Sequence, residues 1–421
     1  LVRGANMKNL PPKASPSLVG GGDLVVTLIR KIHVCHLYLL SGNIYAMIPI
    51  TGAKMSDSTT FIPGQQLCER FYWEAVRPIL DAHFPGLQHA AALLGSGSEV
   101  LGYDDLMSTD HHYGPRALLF LHDHDWRSNA QAIHQALATH LPYHFLGYST
   151  NFSEPDPNDN GTQQLTEIDS GPVNHRVSLH TPKSFIVEQL NFDIAQPLQP
   201  ADWLTFAQQH LLAVTAGKVY HDNLGLTQVR ERFTFYPHDV WLYLLAAGWA
   251  RIGQEEHLMG RAGLVGDEIG SALIGARLVR DIMRLCFLME RRYAPYPKWF
   301  GTAFKRLACA DDMQPVLTKA LHAQSWQERQ QWLVHAYEQI AAMHNALGLT
   351  EPLPEQACDF FGRPFQVIAL HGFSSALLGQ IGYPALLPVA ERRQIGSIDQ
   401  FSDSTDLLED TDRGSLLKCL Y

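Results

Sequence analysis

Apolar positions along the chain change their period several times, and each change predicts an element. Leu67, Phe71, Ala75, Val76 and Ile79 recur at helical spacing, and Pro78 and Pro85 are expected to close that helix. Ala90 to Leu94 and Ala117 to Leu121 are short apolar runs, the mark of buried strands, and the first runs into glycine. Trp126 to Leu141 predicts a helix with Ala130, Ile133, Leu137 and Leu141 inward. Residues 149–171 are polar, with Pro155, Pro157 and Gly161, and predict a surface loop. Arg176 to His180 alternates as a strand does, and a helix follows through Ile186 and Leu190. Asp202 to Val214 predicts another helix, and Lys218 to His221 a strand ending in the turn Asp222-Asn223-Leu224-Gly225. Beyond Pro237, placed at a first helical position, the pattern is helical; Trp241, Leu244, Leu245 and Trp249 form one apolar face.

This order predicts an α+β protein: a small mixed-sheet domain over 55–230, an all-helical domain over 237–400 with a substrate cleft between the two, and a tail over 401–421. The acids Asp403, Asp406, Glu409, Asp410 and Asp412 make the tail read as a solvated end. Residues 1–54 differ in character, with six lysines and arginines against the single acid Asp23 and breakers at Pro11-Pro12 and Gly20-Gly21-Gly22. Met55 therefore reads as the natural start, and 1–54 as translated upstream sequence or a flexible extension; an extra strand or helix from Val25 to Leu40 is the alternative.

Composition narrows the class. With 421 residues, 46% hydrophobic and 18% charged, the chain is long enough to bury real cores. A net charge of −10 argues against a general nucleic-acid or anionic-membrane binder. The six cysteines lie far apart without a CxxC pair, which suits free thiols in a reducing cytoplasm better than a zinc or disulfide framework. Leu24 to Ile50 is apolar but holds Arg30, Lys31, His33, His36 and Asn43, so it fails as a membrane span. A cytoplasmic location is the expectation.

The chemistry concentrates between Leu94 and His112, in LGSGSEVLGYDDLMSTDHH. The dinucleotide fingerprint fails at Val100, a Walker loop lacks its lysine after Gly102, and no register supplies a nucleophile elbow. What remains is a small-residue turn, Gly95, Ser96, Gly97 and Ser98, whose amides and hydroxyls can cradle phosphate oxygens, with Asp110 some twelve residues on. Such a pair suits phosphoryl-type transfer, where positioning and charge neutralisation by a divalent ion do most of the work.

On these residues the chain resembles the nucleotidyltransferase superfamily that includes DNA polymerase beta and the antibiotic adenylyltransferases, whose signature is Gly-Ser, a spacer, then Asp-x-Asp/Glu on the next strand. More closely, it resembles an uncharacterised bacterial family of that superfamily, a domain of unknown function. The stretches FIPGQQLCERFYWEAVRPIL, LLGSGSEVLGYDDLMSTDHHYGPRALLFL, YPHDVWLYLLAAGW and GRAGLVGDEIGSALIGARLVRDIMRLCFLMERRYAPYPKWFGTAF carry the likeness, from about Phe61 to Phe401. The resemblance implies that Gly95, Ser96, Gly97 and Ser98 hold a nucleoside triphosphate and that Asp110 and His112 act at the reacting phosphate with Mg²⁺ or Mn²⁺. The acceptor would be a hydroxyl of an unidentified small molecule or protein.

One position departs from the signature: His112 stands where a second carboxylate is expected, and the Arg176 to His180 strand offers no third. The site then uses Asp110, His112 and His180 around a softer ion such as zinc, or takes Asp104 or Asp105 as the missing acid, or has lost catalysis and only binds nucleotide. A zinc-dependent hydrolase drawing on His122 is a further reading. His122-Asp123-His124-Asp125 reads more simply as a helix start capped by Asp125 or Ser128, and Gly114-Pro115 as a bulge that aims Asp110 and His112 into the cleft. In the helical half, Arg277, Arg280, Asp281, Arg284 and Arg291 form a charged stripe, with internal pairing of Arg277 and Asp281 preferred over an anionic ligand. Around Arg291 to Phe300, cations mix with aromatics, where a base would stack with Lys298 at a phosphate; a packed corner between helices is the alternative.

Overall fold

In a computed structural model of the protein, the described residues are 61–110, 113–159 and 161–421. All of them fall in one unit of the chain, Gly52–Tyr421. The expectation for residues 1–54 lies outside the described residues.

Eight strands occur among them: β1 (His89–Leu93), β2 (Arg116–Leu121), β3 (His144–Phe145), β4 (Tyr148–Ser149), β5 (Arg176–His180), β6 (Lys218–Asp222), β7 (Cys358–Phe360) and β8 (Arg363–Val367). The principal sheet has the order β5-β2-β1-β6 and is mixed. β1 pairs antiparallel with β2 and β6, and β2 pairs parallel with β5, Arg116 opposite Arg176 and Phe120 opposite His180. The fold is thus α+β, a small mixed sheet with a large helical part.

Every residue of β1 is buried, and its alanines let both faces be covered closely. One face holds Ala91, Leu119 and Leu121 against Phe71, Val76, Ile133 and Leu137. The other holds Ala90, Ala92, Leu118 and Phe120, and this cluster continues through Leu204, Leu211 and Trp249 into the helical part. There the helix His238–Leu264 is buried on all sides from Val240 to Trp249, which places it at the centre rather than on a surface. Among the described residues no helix is long and apolar enough to cross a membrane.

Several local expectations change. Pro78 does not end its helix: a wide π turn over Tyr72–Val76 precedes it, and Pro78 falls in the first turn of Arg77–His83, where its missing N–H costs nothing. The helix expected over 202–214 is broken in two, Pro200–Thr205 and Gln208–Thr215, because Phe206 and Ala207 turn extended and bury their side chains. Pro237 caps its helix from just outside. Gly114 and Pro115 precede β2 instead of bulging it. A Cβ on Gly114 would lie 2.7 Å from Leu165 and 2.9 Å from Phe152, so only glycine fits there.

The tail is not simply solvated. Asp403 accepts hydrogen bonds from Arg280 and Arg284. Arg251 reaches Asp281, and Arg277 reaches Glu255 rather than Asp281. Arg277, Arg280 and Arg284 are therefore matched by carboxylates of their own chain, and Arg291 lies over the Phe235 and Trp241 rings.

Candidate functional site

At the end of the sheet where β1 finishes and β2 and β5 begin, the chain makes its glycine-serine turn. Gly95 and Gly97 have φ of +90° and +138°, and a Cβ on Gly97 would lie 2.6 Å from both carboxylate oxygens of Glu99. The Gly95 amide donates to Ala213 O at 2.8 Å, which ties the turn to the Gln208–Thr215 helix. No hydrogen bond from the amides of Ser96, Gly97 or Ser98 forms within the described residues.

Arg116, the first residue of β2, braces this turn. Its Nη2 donates to Ser96 O at 3.0 Å and to the Glu99 carboxylate, and both side chains are nearly buried, 11% and 8% exposed. The Arg116 Nε–H is buried and meets no acceptor among the described residues. Directly across the parallel pair lies Arg176, its guanidinium 5.6 Å from the centre of the Phe152 ring. Burial and the neighbouring Arg116 charge hold its pKa down to about 10. Two guanidiniums thus sit beside the turn. Cys68 lies close by, but burial pushes its thiol up to about 12, which removes it as a nucleophile at neutral pH.

The turn's exit meets the helical part. Arg306 donates to Gly102 O at 2.7 Å and lies 4.0 Å over the Tyr103 ring, which stacks on Trp299 at 5.4 Å. Lys298 is exposed, with its ammonium 5.0 Å over the Trp299 ring. The aromatic corner is thus a packed joint that also lies at the rim of the turn. Lys298 itself is placed only against its neighbour Trp299, one residue from the stack on Tyr103.

The acids between turn and strand build the connection. Asp104 accepts from Gly64 N at 2.6 Å, and Asp105 accepts from Met107 N at 2.9 Å and Ser108 N at 3.1 Å. Asp110 ends the 3₁₀ turn Leu106–Asp110, six residues before Arg116, a span of at most about 20 Å when extended. Its side chain, with His111 and His112, lies outside the described residues, so the expected Asp110–His112 metal pair does too.

His180 is not brought to the turn. Parallel register with β2 puts Arg176 at that end and His180 at the other, about 13 Å away along a five-residue strand. There its Nδ1 lies 3.6 Å from Glu188, and the ring packs on Phe120 and Phe185. Burial lowers its pKa. His122 also lies at that far end, as the residue capping the Asp123–His140 helix; neither Asp125 nor Ser128 supplies a side-chain cap. His122 and His180 thus stand at the end of β2 and β5 away from the glycine-serine turn. Among the described residues no group of three or more metal-capable side chains converges.

The residues that pattern reasoning missed are Arg116, Glu99, Tyr103 and Arg306. The available signal was a charged residue, Arg116, heading an otherwise apolar strand directly after the motif.

Residues 203–300 match the family model described as "Domain of unknown function (DUF4037)", so the likeness to an uncharacterised family holds over that stretch. None of the curated proteins matches the chain. Among solved structures, a nucleotidyltransferase-like protein from Exiguobacterium sibiricum 255-15 is similar at a TM-score of 0.27 and 12% identity, covering 68% of this chain and 78% of that one. At that score the likeness decides neither fold nor function.

Proposed function

We propose that the protein binds a nucleoside triphosphate at the Gly95–Ser98 turn and transfers its nucleoside monophosphate to a hydroxyl of a small molecule or protein. One observation supports this reading: Ser96, Gly97 and Ser98 present amides that meet no acceptor among the described residues, beside the guanidiniums of Arg116 and Arg176. Permanent cations and convergent N–H groups are what phosphate oxygens require. Lys298 would meet a further phosphate oxygen, and the Tyr103–Trp299 joint would flank the base.

Asp110 and His112 would hold a divalent cation, which when bound neutralises charge on the phosphates. One carboxylate with imidazole suits Mn²⁺ or zinc better than Mg²⁺. Glu99 and Arg116 keep the turn in shape, and the helical part would select the acceptor.

A second reading, nucleotide binding without transfer, draws on His112 and on β5, whose residues Arg176 to His180 include no carboxylate. Thermal-shift titration with the four nucleoside triphosphates separates the two. Transfer requires stabilisation that depends on Mn²⁺ or Mg²⁺, and turnover that Asp110→Ala abolishes. Cation-independent stabilisation without turnover supports the second reading. No stabilisation by any nucleotide would sink both.

A further inference from the structure

Two thiols meet behind the aromatic corner. Cys286 lies in the last turn of the helix Glu268–Met289 and is fully buried; Cys309 stands just before the helix Ala310–His322 and is partly accessible. Both are free. Glu290 fixes their approach. Its amide donates to Cys286 O at 3.0 Å, which places it one helical turn past Cys286. Its carboxylate accepts from Ala308 N at 2.7 Å and from Cys309 N at 2.8 Å. The backbone of Cys309 is thereby held against the end of the helix that carries Cys286. The Cys309 side chain packs on the apolar cluster that contains Cys286 and is hydrogen-bonded to the Cys286 thiol.

The chain between the two cysteines is the corner itself. It includes Trp299, which stacks on Tyr103, and Arg306, which donates to Gly102 O. A bond between the cysteines would tie the two ends of this segment together. Cys286 is fixed by its helix, whereas Cys309 follows tight turns in which Leu307 N bonds Phe304 O and Ala310 N bonds Leu307 O. Sulfurs already in contact need a side-chain rotation and a shift of that turn to reach bonding geometry. The Cys309 hydrogen bond and burial push the Cys286 thiol well above its ordinary range, which leaves Cys309 as the thiol that an oxidant meets first.

We propose that Cys286 and Cys309 are a reversible dithiol–disulfide pair, and that a low-molecular-weight disulfide closes it to staple the aromatic corner. The Cys309 thiolate attacks one sulfur of that disulfide, forms a mixed disulfide and expels one thiolate. The Cys286 sulfur then attacks the Cys309 sulfur and expels the second. The two protons of the protein thiols end on the two small thiols released: the protein is oxidised by two electrons and the small disulfide reduced by two. The bond is independent of any nucleotide chemistry.

Oxidised glutathione applied to the full chain, followed by alkylation, proteolysis and mass spectrometry, tests it. The wild type should yield a peptide pair joining Cys286 to Cys309, and dithiothreitol should release it. Cys286→Ala should leave glutathione on Cys309, because nothing then resolves the mixed disulfide. Cys309→Ser should leave Cys286 unmodified. In the oxidised wild type, hydrogen exchange over 291–306 should slow about threefold or more, and the same treatment should leave it unchanged in Cys309→Ser. Absence of the 286–309 peptide pair from the oxidised wild type, with or without glutathione on Cys309, overturns the pairing. A bond that forms without slowing exchange overturns the staple. The wild-type mapping decides the pairing even should Cys286→Ala fail to fold.

Discussion

Where β1 ends and β2 and β5 begin, the sheet carries a glycine-serine turn, Arg116, Arg176 and, on β6, Lys218 paired with Glu69. Where the same strands reach their other ends stand His89, His122, His180 and His221. The first end holds permanent charge. The second holds mostly uncharged rings: His89 lies between Leu87 O at 3.1 Å and the Tyr72 hydroxyl at 2.9 Å, its ring 4.7 Å from His221. Histidines therefore gathered where the fold uses them as packing, while arginines gathered at the turn. Sheet direction separates the two chemistries.

The largest effect should come from breaking the charged end. Arg116→Ala leaves Glu99 buried without its partner and should cost about 3–5 kcal/mol in urea unfolding. Replacing both residues by apolar ones of similar size should return most of that loss. A single-variant cost below about 1 kcal/mol would show that the pair does not brace the turn.

The next effect belongs to the histidine end. Burial lowers the pKa of His89, His180 and His221, so the folded state favours their neutral forms. Their stabilisation is complete above the unfolded value of about 6.5 and is lost as pH falls below it. His175, which precedes β5 and is held near 4 by burial, should alone remove about 2 kcal/mol by pH 5. Thermal melts from pH 8 to pH 5 should fall accordingly, and His89→Gln should flatten the slope. A profile unchanged by that variant would mean the ring is not held neutral.

Smaller effects sharpen the contrast. Arg306→Ala removes the bond to Gly102 O and the contact over Tyr103; it should cost about 1 kcal/mol of stability and weaken the nucleotide response several-fold. His180→Ala should leave nucleotide response within twofold of wild type. A larger loss there would bring the far end back into the site.

Much of the fold was legible before coordinates. β1 and β2 are continuous apolar runs because both faces of those central strands are covered, and the helix of Ile133 and Leu137 shows its period plainly. Pro78 misled because a π turn lies before it, and the break at Phe206–Ala207 was invisible because both residues are apolar and simply bury. In the helical part, Ile269 and Leu273 look like core by spacing and are exposed. At the site, the turn was readable from its glycines, whereas Arg176 and His180 alternate on one face of one strand and period two cannot say which end meets the turn.

The amino-acid order determined the apolar periods, the glycines that permit a turn of positive φ, and the charged stripe, because each depends on neighbours a few residues apart. Which carboxylate each arginine meets, and which strand end stands beside the turn, were decided only by tertiary structure. Glu99 and Arg116 are 17 residues apart, Gly102 and Arg306 are 204, and Arg280 and Asp403 are 123. Contacts over such separations follow from strand register and helix packing, which no local pattern encodes.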